Sequence, residues 1–331
     1  MLFYHEYENY IHTNMGFIRQ PNTIVGSIST MRMFGLEIPS VSSATDWGMQ
    51  ILIKKIYSEY SERENIGIAM ASCDDTIGWD FVKRTIERFA EKEVGYGESN
   101  RFGYVDTTGT GASVSNSRTV IAKAVSELIE KNELLLFWYL GKGEMVQIDD
   151  CVKSELKKYG LDCFENFFFK CQNLSNWSTI IHIACRNREV ISTGICCCSN
   201  DMDAIKGAIN ETKTLRTLNL LRHRSSINCD KLTHETVYRY ILELRKKQSP
   251  KESVKLRRIE YLDIEIADWI KNMQILFLGH GEKKGKVVTA LSDSLIKCVP
   301  QKGNLKYCSE VEIYKRYQIG DVEEKVECIV L

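Results

Sequence analysis

The chain has 331 residues and a formal net charge of zero, because its 44 basic side chains match its 44 acidic ones. This balance argues against a general nucleic-acid or anionic-membrane surface, which needs an excess of basic charge. The N-terminal sequence MLFYHEYENYIHTNMG lacks the basic and apolar regions of a signal peptide, and no segment approaches the ~18 apolar residues of a membrane span. We therefore expect a cytoplasmic protein with one continuous fold over residues 1–331, since it has only 4 prolines and no flexible linker.

The first half of the chain alternates predicted helices with polar or strand-like stretches. Apolar residues recur at helical spacing over 48–64, and the sequence 65–72 then alternates like a strand. A second helix is predicted over 79–92, followed by a loop rich in Gly, Ser, Thr and Asn over 93–117. Residues 118–140 form the next predicted helix, which has a strongly apolar C-terminal end.

The second half mixes strands with helices. Two strands are predicted within 178–200, around a turn at RNRE, because β-branched and small apolar residues dominate there. Helices are predicted over 201–222, 234–247 and 266–273, and apolar strands over 274–280 and 286–292. The tail, KRYQIGDVEEKVECIVL, is partly strand-like. Because strict βαβ alternation is missing, the predicted fold class is α/β in the broad sense, a mixed α+β arrangement.

Short polar residues precede two of the predicted helices and are candidates for N-caps, since their side chains accept hydrogen bonds from free helical N–H groups. Ser117 or Ser115 would cap the helix over 118–140. Asp201 or Asn200 would cap the helix over 201–222.

Twelve cysteines and six histidines raise the question of a metal site. No C-x-x-C, H-x-x-x-H or H-E-x-x-H pair is present, so the usual zinc signatures are missing. Alternate residues of a strand share a face, so in the run ICCCSN only Cys196 and Cys198 are placed to share a ligand. We interpret the run as a buried, reduced strand, and His182 as a core histidine whose hydrogen bonds are satisfied.

A pattern of Ser-Glu-x-x-Glu followed by a cation occurs twice, as SEYSER and as SELIEK. Residues three apart lie on one face of a helix, so Glu59 points with Glu62 and Glu127 with Glu130. Two such pairs facing each other would form an oxygen-lined Mg²⁺ site, since close carboxylates repel unless a cation lies between them. The alternative is that both pairs lie on solvated helix faces, and the spacing alone leaves this choice open.

The cation that ends each hexapeptide would add positive charge to such a site. Arg63 offers a bidentate fork for phosphate, and Lys131 a less directional ammonium group. The usual nucleotide-binding signatures are missing, because there is no G-x-x-x-x-G-K-[ST] loop and GTGASV is not a full G-x-G-x-x-G.

Three segments of the chain, in order, resemble the YcaO family. The segment SSATDWGMQILIKKIYSEYSER (42–63) is similar to the family's S…E-x-x-E-R helix. The segment TTGTGASVSNSRTVIAKAVSELIEKNELLLFWYLGKG (107–143) is similar to its Gly-rich loop, second E-x-x-E-R helix and aromatic tail. The segment VISTGICCCSNDMDAIKGAINETKTLR (190–216) is similar to its strand, turn and helix with an E-x-x-Q core. Within the family, the chain looks most like the YcaO subunit of microcin B17-type synthetases.

The resemblance implies a YcaO-like fold of mixed sheets and packed helices, with an ATP-binding core over about 40–220 and a C-terminal part over 221–331. It also implies an enzyme that uses ATP and Mg²⁺ to activate a peptide backbone amide. In azoline-forming members, a Cys, Ser or Thr side chain of a precursor peptide attacks the preceding carbonyl. Phosphorylation of the resulting oxygen and loss of phosphate then leave a thiazoline or oxazoline ring. Such catalysis depends on positioning and charge neutralisation more than on a protein nucleophile.

Carried over by position, the resemblance gives both glutamate pairs a role. Glu59, Glu62, Glu127 and Glu130 would be the catalytic residues and would hold Mg²⁺ and the phosphates. The resemblance also implies a set of nucleotide-contacting residues, namely Arg63, Ser115, Lys131, Glu211 and Arg216.

The chain departs from the family pattern at several positions. Lys131 replaces an Arg, which keeps the charge but weakens bidentate phosphate binding. Thr119 stands where a carboxylate is usual, and Thr214 where Gln is usual. The ending VECIVL lacks the Pro-rich tail of azoline-forming members. Thioamide or amidine formation, or a non-catalytic YcaO-like scaffold, therefore stay open as alternatives.

The resemblance further implies a complex. Azoline-forming relatives usually work with an E1-like or ocin-ThiF partner that captures the leader of the precursor peptide. Many also work with an FMN-dependent dehydrogenase that oxidises azoline to azole. We expect partners of these kinds here, and neither a nucleic acid nor a membrane.

Overall fold

A computed structural model of the chain describes residues 15–20, 23–28, 31–33, 36–38, 41–45, 75–90, 93–95, 100–113, 116–221, 224–246, 254–277 and 286–330. The helix predicted over 48–64 and the strand predicted over 65–72 lie outside these residues. Four predicted site residues lie outside them as well, namely Glu59, Glu62, Arg63 and Ser115. Within the ranges just given, no helix combines the length and hydropathy that a membrane span requires.

The described residues form short strands and six helices. The strands are β1 (Met15–Gln20), β2 (Thr23–Ile28), β3 (Met31–Met33), β4 (Leu36–Ile38), β5 (Val41–Thr45), β6 (Asp75–Asp80), β7 (Thr85–Ala90), β8 (Thr110–Ser113), β9 (Glu144–Met145), β10 (Glu165–Cys171), β11 (Ser178–Arg186), β12 (Glu189–Cys198), β13 (Leu256–Ile259), β14 (Ile264–Ala267), β15 (Gln274–Phe277) and β16 (Lys286–Leu291). The helices are α1 (Ser117–Leu140), α2 (Asp150–Lys158), α3 (Asp201–Leu221), α4 (Lys231–Lys246), α5 (Lys302–Leu305) and α6 (Glu312–Tyr317).

The strands pair antiparallel in several sheets. The two largest have the orders β7-β6-β15-β16-β8 and β12-β11-β10-β9. A three-stranded sheet, β1-β2-β5, and the pairs β3-β4 and β13-β14 complete the described set. This mixture of antiparallel sheets and helices confirms the predicted fold class.

The four-stranded sheet is buried on both faces, because side chains of successive strand residues point in opposite directions. The odd-numbered Phe167 and Ile181 belong to the core that contains α1, and the even-numbered Phe168 and Ile180 to the core that contains α2 and α3. Helix α1 also packs against β8 and β16 of the five-stranded sheet. Strand β12, at one edge of its sheet, thus has α1 over one face and α3 over the other.

Two caps set the start of these helices. Helix α1 is capped by Asn116, whose Oδ1 accepts the Thr119 N–H at 2.9 Å, so the prediction of Ser115 or Ser117 was wrong. All three residues are short and polar, and the sequence alone did not fix which one faces the free N–H groups. For α3 the prediction is confirmed, since Asn200 Oδ1 accepts the Asp203 N–H at 2.8 Å.

The helix predicted over 79–92 is wrong, because residues 79–90, the described part of this range, belong to the hairpin of β6 and β7. Asp80 Oδ1 accepts from the N–H groups of Val82 and Lys83, at 2.8 and 3.1 Å. These are the bonds that would cap a helix, but Arg84 then takes a left-handed φ of 59° and the chain reverses. Pairing with β15 overrides the local helical pattern.

Other predictions had mixed outcomes. The helix predicted over 266–273 is wrong, since β14 ends there in a turn, and the predicted loop over 93–117 contains β8. The tail has no strand among its described residues, only α6 and turns. Within the described residues, the remaining predicted elements from 118–140 onward are confirmed, namely those over 118–140, 178–200, 201–222, 234–247, 274–280 and 286–292.

Candidate functional site

The glutamates of α1 and α3 meet at the edge of β12. Glu130 Oε2 accepts the Cys197 N–H at 3.1 Å, and Glu211 Oε2 accepts the Ile195 N–H at 2.6 Å. Ile195 and Cys197 are alternate residues, so both N–H groups point the same way, out of the sheet's edge. The carboxylates therefore satisfy donors that an edge strand would otherwise leave open. These two hydrogen bonds therefore connect α1 and α3, which lie on opposite faces of the sheet, through the edge of β12.

Lys131 lies buried beneath these carboxylates. Its side chain is 6% exposed, and its Nζ is 3.0 Å from Glu130 Oε1. Burial by itself lowers the pKa of Lys131, but the carboxylates of Glu130, Glu211 and Glu127 together raise it above its usual value. The ammonium group therefore stays charged at neutral pH, and its positive charge is shared by three negative ones.

Glu127 completes the cluster from the preceding turn of α1. Its side chain is half-buried, and its charge acts on Lys131 together with those of Glu130 and Glu211. The structure thus brings four sequence-predicted site residues together. Carboxylates held this close repel one another unless a cation lies between them, and Lys131 supplies such a cation.

Arg216 lies elsewhere. It follows Glu211 by five residues, so it projects from a different side of α3. Its Nη1 donates to the Gly160 carbonyl at 3.1 Å, and its guanidinium lies 4.6 Å from the centre of the Phe164 ring. The structure therefore places Arg216 against the segment between α2 and β10, apart from the carboxylates.

Thr119 and Thr214, the two threonines that depart from the family pattern, use their hydroxyl groups in local hydrogen bonds. The Thr119 hydroxyl donates to Asn116 Oδ1 at 3.0 Å, as part of the cap of α1. The Thr214 hydroxyl donates to the Asn210 carbonyl at 2.9 Å. Neither hydroxyl extends the carboxylate cluster through these bonds.

The carboxylates at the edge of β12 are candidate ligands for a metal ion. Among the described residues, no three His, Cys, Asp or Glu side chains are grouped closely enough to hold a metal ion. Mg²⁺ does not need such a group, because it usually takes one or two carboxylates together with waters and phosphate oxygens. The carboxylate oxygens at the edge of β12 are ligands of the kind that this hard cation prefers.

The cysteine run on β12 is a strand, as predicted. Cys196 and Cys198 share a face, with their Sγ atoms 3.6 Å apart. The Cys197 side chain is on the opposite face, in the core that contains α1. The run contributes to the site through the Cys197 N–H group, a backbone donor.

His182 is a buried core histidine, which confirms the prediction. Asn166 Oδ1 lies 2.8 Å from its Nε2, and Thr212 Oγ1 lies 2.8 Å from its Nδ1. The Asn166 amide NH₂ is used by two carbonyls, so its oxygen faces the ring and Nε2 carries the proton. Burial lowers the pKa of His182 to about 3, so the ring stays neutral.

Sequence reasoning missed two features near the site. The first is the pair of β12 N–H groups. They are backbone donors, so a pattern of side chains does not reveal them. The second is Glu133, three residues after Glu130 and fully buried. Its carboxylate accepts the N–H groups of Asn173 and Leu174, both at 2.6 Å, and so fixes the loop after β10. A glutamate inside the apolar run NELLLFWYL was the available sign of a buried acceptor.

The fold is similar to solved structures. A YcaO from Methanopyrus kandleri, bound with AMPPCP and Mg²⁺, matches with a TM-score of 0.67 at 12% identity, over 92% of this chain and 91% of that chain. The E. coli microcin synthetase McbBCD complex with pro-MccB17 bound matches with a TM-score of 0.60 at 11% identity, over 88% of this chain and 90% of that chain. No protein-family model and no curated protein matches the sequence. The chain therefore has the YcaO fold that its three motifs predicted.

Proposed function

We propose that this protein is an ATP- and Mg²⁺-dependent cyclodehydratase subunit, which activates backbone amides of a ribosomally made precursor peptide. It would form thiazoline or oxazoline rings at Cys, Ser or Thr. The observation that carries the proposal is the cluster of Glu127, Glu130 and Glu211 around Lys131. This cluster lies at motif positions, in a fold shared with a YcaO bound to AMPPCP and Mg²⁺.

The carboxylates would hold Mg²⁺ and orient the phosphates. Glu127 and Glu130 supply oxygen ligands from α1, and we propose that Glu59 and Glu62, outside the described residues, supply the facing pair. Bound Mg-ATP would supply the phosphoryl group that converts the amide oxygen into a leaving group. Arg63 would neutralise phosphate charge as a bidentate donor.

The remaining predicted site residues have different roles in this proposal. Ser115, outside the described residues, is proposed to contact the nucleotide. Glu211 holds β12 through the Ile195 N–H and adds negative charge to the cluster. Arg216 is left out, because its guanidinium is engaged with Gly160 and the Phe164 ring. Rate acceleration would then come from positioning and charge neutralisation, with no protein nucleophile.

The proposal includes a partner. The McbBCD structure is a complex with a bound pro-peptide, and this chain matches one of its chains over nearly the whole length. We propose that residues 1–331 form a single YcaO-like domain that works with an E1-like leader-binding protein. An FMN-dependent dehydrogenase would follow where the product is an azole.

A precursor-peptide assay tests the proposal. The purified chain, a candidate leader-binding partner and a candidate precursor peptide rich in Cys and Ser are incubated with Mg-ATP. We expect the peptide to lose the mass of one water per ring, with stoichiometric ATP consumption. An unchanged peptide mass in the presence of the partner would refute the proposal. A mass gain equal to the replacement of oxygen by sulfur would show the alternative, thioamide formation.

Variants connect this activity to the cluster. Glu127→Gln removes one ligand charge from a half-buried position and should reduce turnover at least about a hundredfold. Glu324→Gln, at an exposed residue, is the matched control and should keep full activity. Full activity of the Glu127 variant would indicate that the two glutamate pairs lie on ordinary solvated helix faces and have no role in catalysis.

A non-catalytic scaffold is the second candidate, and one observation favours it. Lys131 replaces the motif's Arg and is buried against Glu130, so its charge is already used within the protein. Calorimetric titration with Mg-ATP separates the two candidates. A saturable heat signal that needs Mg²⁺ supports the enzyme, and no binding while the partner protein is still bound supports the scaffold.

A further inference from the structure

Exposed apolar side chains collect on one face of the five-stranded sheet. Ile77 is 54% exposed, Ile86 73% and Phe277 44%. The register places Trp79 opposite both Ile86 and Ile275, so the alternate residues Ile77 and Phe277 lie on the same face. Isolated exposed apolar residues are ordinary, but a contiguous group indicates a surface that another molecule covers.

A cavity of about 500 Å³ opens beside this face, between the β6–β7 turn and the β13–β14 turn. Three aromatic rings line it. The Trp79 ring lies 4.3 Å from that of Phe81, and the Tyr261 ring lies 5.6 Å from each, between centroids. Tyr261 is 38% exposed. The cavity therefore has room for a large apolar side chain and a polarizable lining that attracts one.

Arginines surround these rings. Arg84, Arg257 and Arg258 line the cavity with the carboxylate of Glu260, and Arg258 is already paired with Asp263 at 2.8 Å. The Arg257 guanidinium donates to two main-chain carbonyls, at 2.7 and 2.9 Å, so its orientation is fixed before a ligand arrives. A fixed cation reduces the entropy lost on binding. An occupant that complements this charge carries carboxylates next to its apolar group.

A peptide segment meets these requirements better than a nucleic acid or a membrane. The protein has no net charge, and a nucleic-acid surface needs an extended basic stripe. Aromatic residues and arginine are the types enriched at protein interfaces. Strand β7 is the edge of the sheet in the described part of the chain, so an extended segment has backbone groups to pair with.

We propose that this surface is a docking site for an acidic peptide segment of a partner protein. The segment places a large apolar side chain against Trp79 and Tyr261, at the mouth of the cavity, and its carboxylates contact Arg84 and Arg257. None of these residues belongs to the carboxylate cluster at β12, so the inference goes beyond the proposed function.

Binding of synthetic peptides to the full chain tests this inference. The probe is a fluorescein-labelled nonapeptide in which one Phe is flanked on each side by four alternating Glu and Ser residues. Two analogues replace every Glu by Gln, or the Phe by Ala. Fluorescence anisotropy should show saturable binding of the probe, and binding about tenfold weaker for each analogue, since a tenfold change is the cost of one good contact. Higher salt should weaken only the acidic peptides.

Matched variants locate the site. Arg84→Gln and Tyr261→Ala should each weaken binding of the probe about tenfold. The controls Arg245→Gln and Tyr307→Ala remove the same side chains at exposed positions elsewhere and should leave binding unchanged. Circular dichroism confirms that each variant is folded. No binding of the probe, equal binding of the Gln analogue, or equal loss in the controls would overturn the inference, as would equal binding of anionic lipid vesicles.

Discussion

Replacement of Glu130 by Gln tests whether the ion pair with Lys131 supports the fold as well as the site. The two side chains are 13% and 6% exposed, and their charged atoms are 3.0 Å apart. Gln keeps an oxygen that can accept the Cys197 N–H, so the change removes mainly the negative charge beside a buried ammonium group. Breaking a buried pair from one side costs about 3–5 kcal/mol. Because Glu127 and Glu211 still attract Lys131, we expect the lower end, about 3 kcal/mol.

A double-mutant cycle measures this coupling. Urea unfolding followed by circular dichroism gives the free energy of unfolding for Glu130→Gln, for Lys131→Met and for the double variant. Lys131→Met keeps the volume but leaves three carboxylates without their cation. The double variant removes both charges, so its loss should be smaller than the sum of the single losses by about 2 kcal/mol or more. Glu324→Gln, at an exposed position, should stay within about 0.5 kcal/mol of the parent.

The result bears on how activity is interpreted. If the single losses add within about 0.5 kcal/mol, the two side chains do not interact and the reasoning is refuted. If the coupling is found, a loss of turnover in Glu130→Gln mixes catalysis with stability. Glu127→Gln then gives a second, independent test of the site, provided that its own free energy of unfolding is measured in the same way.

Three further changes test the surrounding structure. Glu133→Gln places an NH₂ group where the Asn173 amide now donates, so the free energy of unfolding in urea should fall by about 1–3 kcal/mol; no change would show that the bonds do not matter. The pKa of His182 is about 3 in the folded state, below its usual 6.5, so the unfolded chain takes up the proton first as the pH falls. The stability is fully present above about pH 6.5, and about 2 kcal/mol should be lost by pH 5; His182→Gln should remove this pH dependence, and an unchanged slope would contradict it. Gly194→Ala would make a Cβ overlap with the Ala208 carbonyl oxygen of α3, so the thermal midpoint should fall, as expected for a loss of about 1–3 kcal/mol. Gly303→Ala, with nothing within 4 Å of its Cβ, should not lower it.

Elements with strong local patterns could be predicted from the sequence. Helix α1 has an apolar stripe long enough to fix both its type and its length. The hairpin of β11 and β12 combines β-branched residues with a turn at Asn187 and Arg188, both of which take left-handed φ values. The prediction failed for β6 and β7, because Asp80 begins a reversal with the same hydrogen bonds that begin a helix. Pairing with β15, almost 200 residues away in the sequence, decided the outcome, and no local pattern contains that information.

The candidate site could be predicted in part for a similar reason. Spacing placed Glu127 and Glu130 on one face of a helix, and the third motif added Glu211. That these carboxylates meet depends on β12 being an edge strand with a helix on each face, which is a property of the tertiary fold. The position of Arg216 could not be derived from its place in the motif, because five residues along a helix change the side from which a side chain projects.

The replacement of Arg by Lys at position 131 now has a structural interpretation. An Arg fork presents several donors and can bind a carboxylate and a phosphate at the same time. Lys131 instead ends in a single ammonium group, 6% exposed and 3.0 Å from Glu130, with two more carboxylates contributing to its charged state. The buried Lys131 ammonium group therefore reduces the repulsion among the carboxylates of Glu127, Glu130 and Glu211. In the proposed nucleotide site, a bound cation and Arg63 would then supply the positive charge for the phosphates, so Arg63→Ala should weaken Mg-ATP binding in calorimetry more than Lys131→Arg does. The opposite order would assign the phosphate contact to position 131.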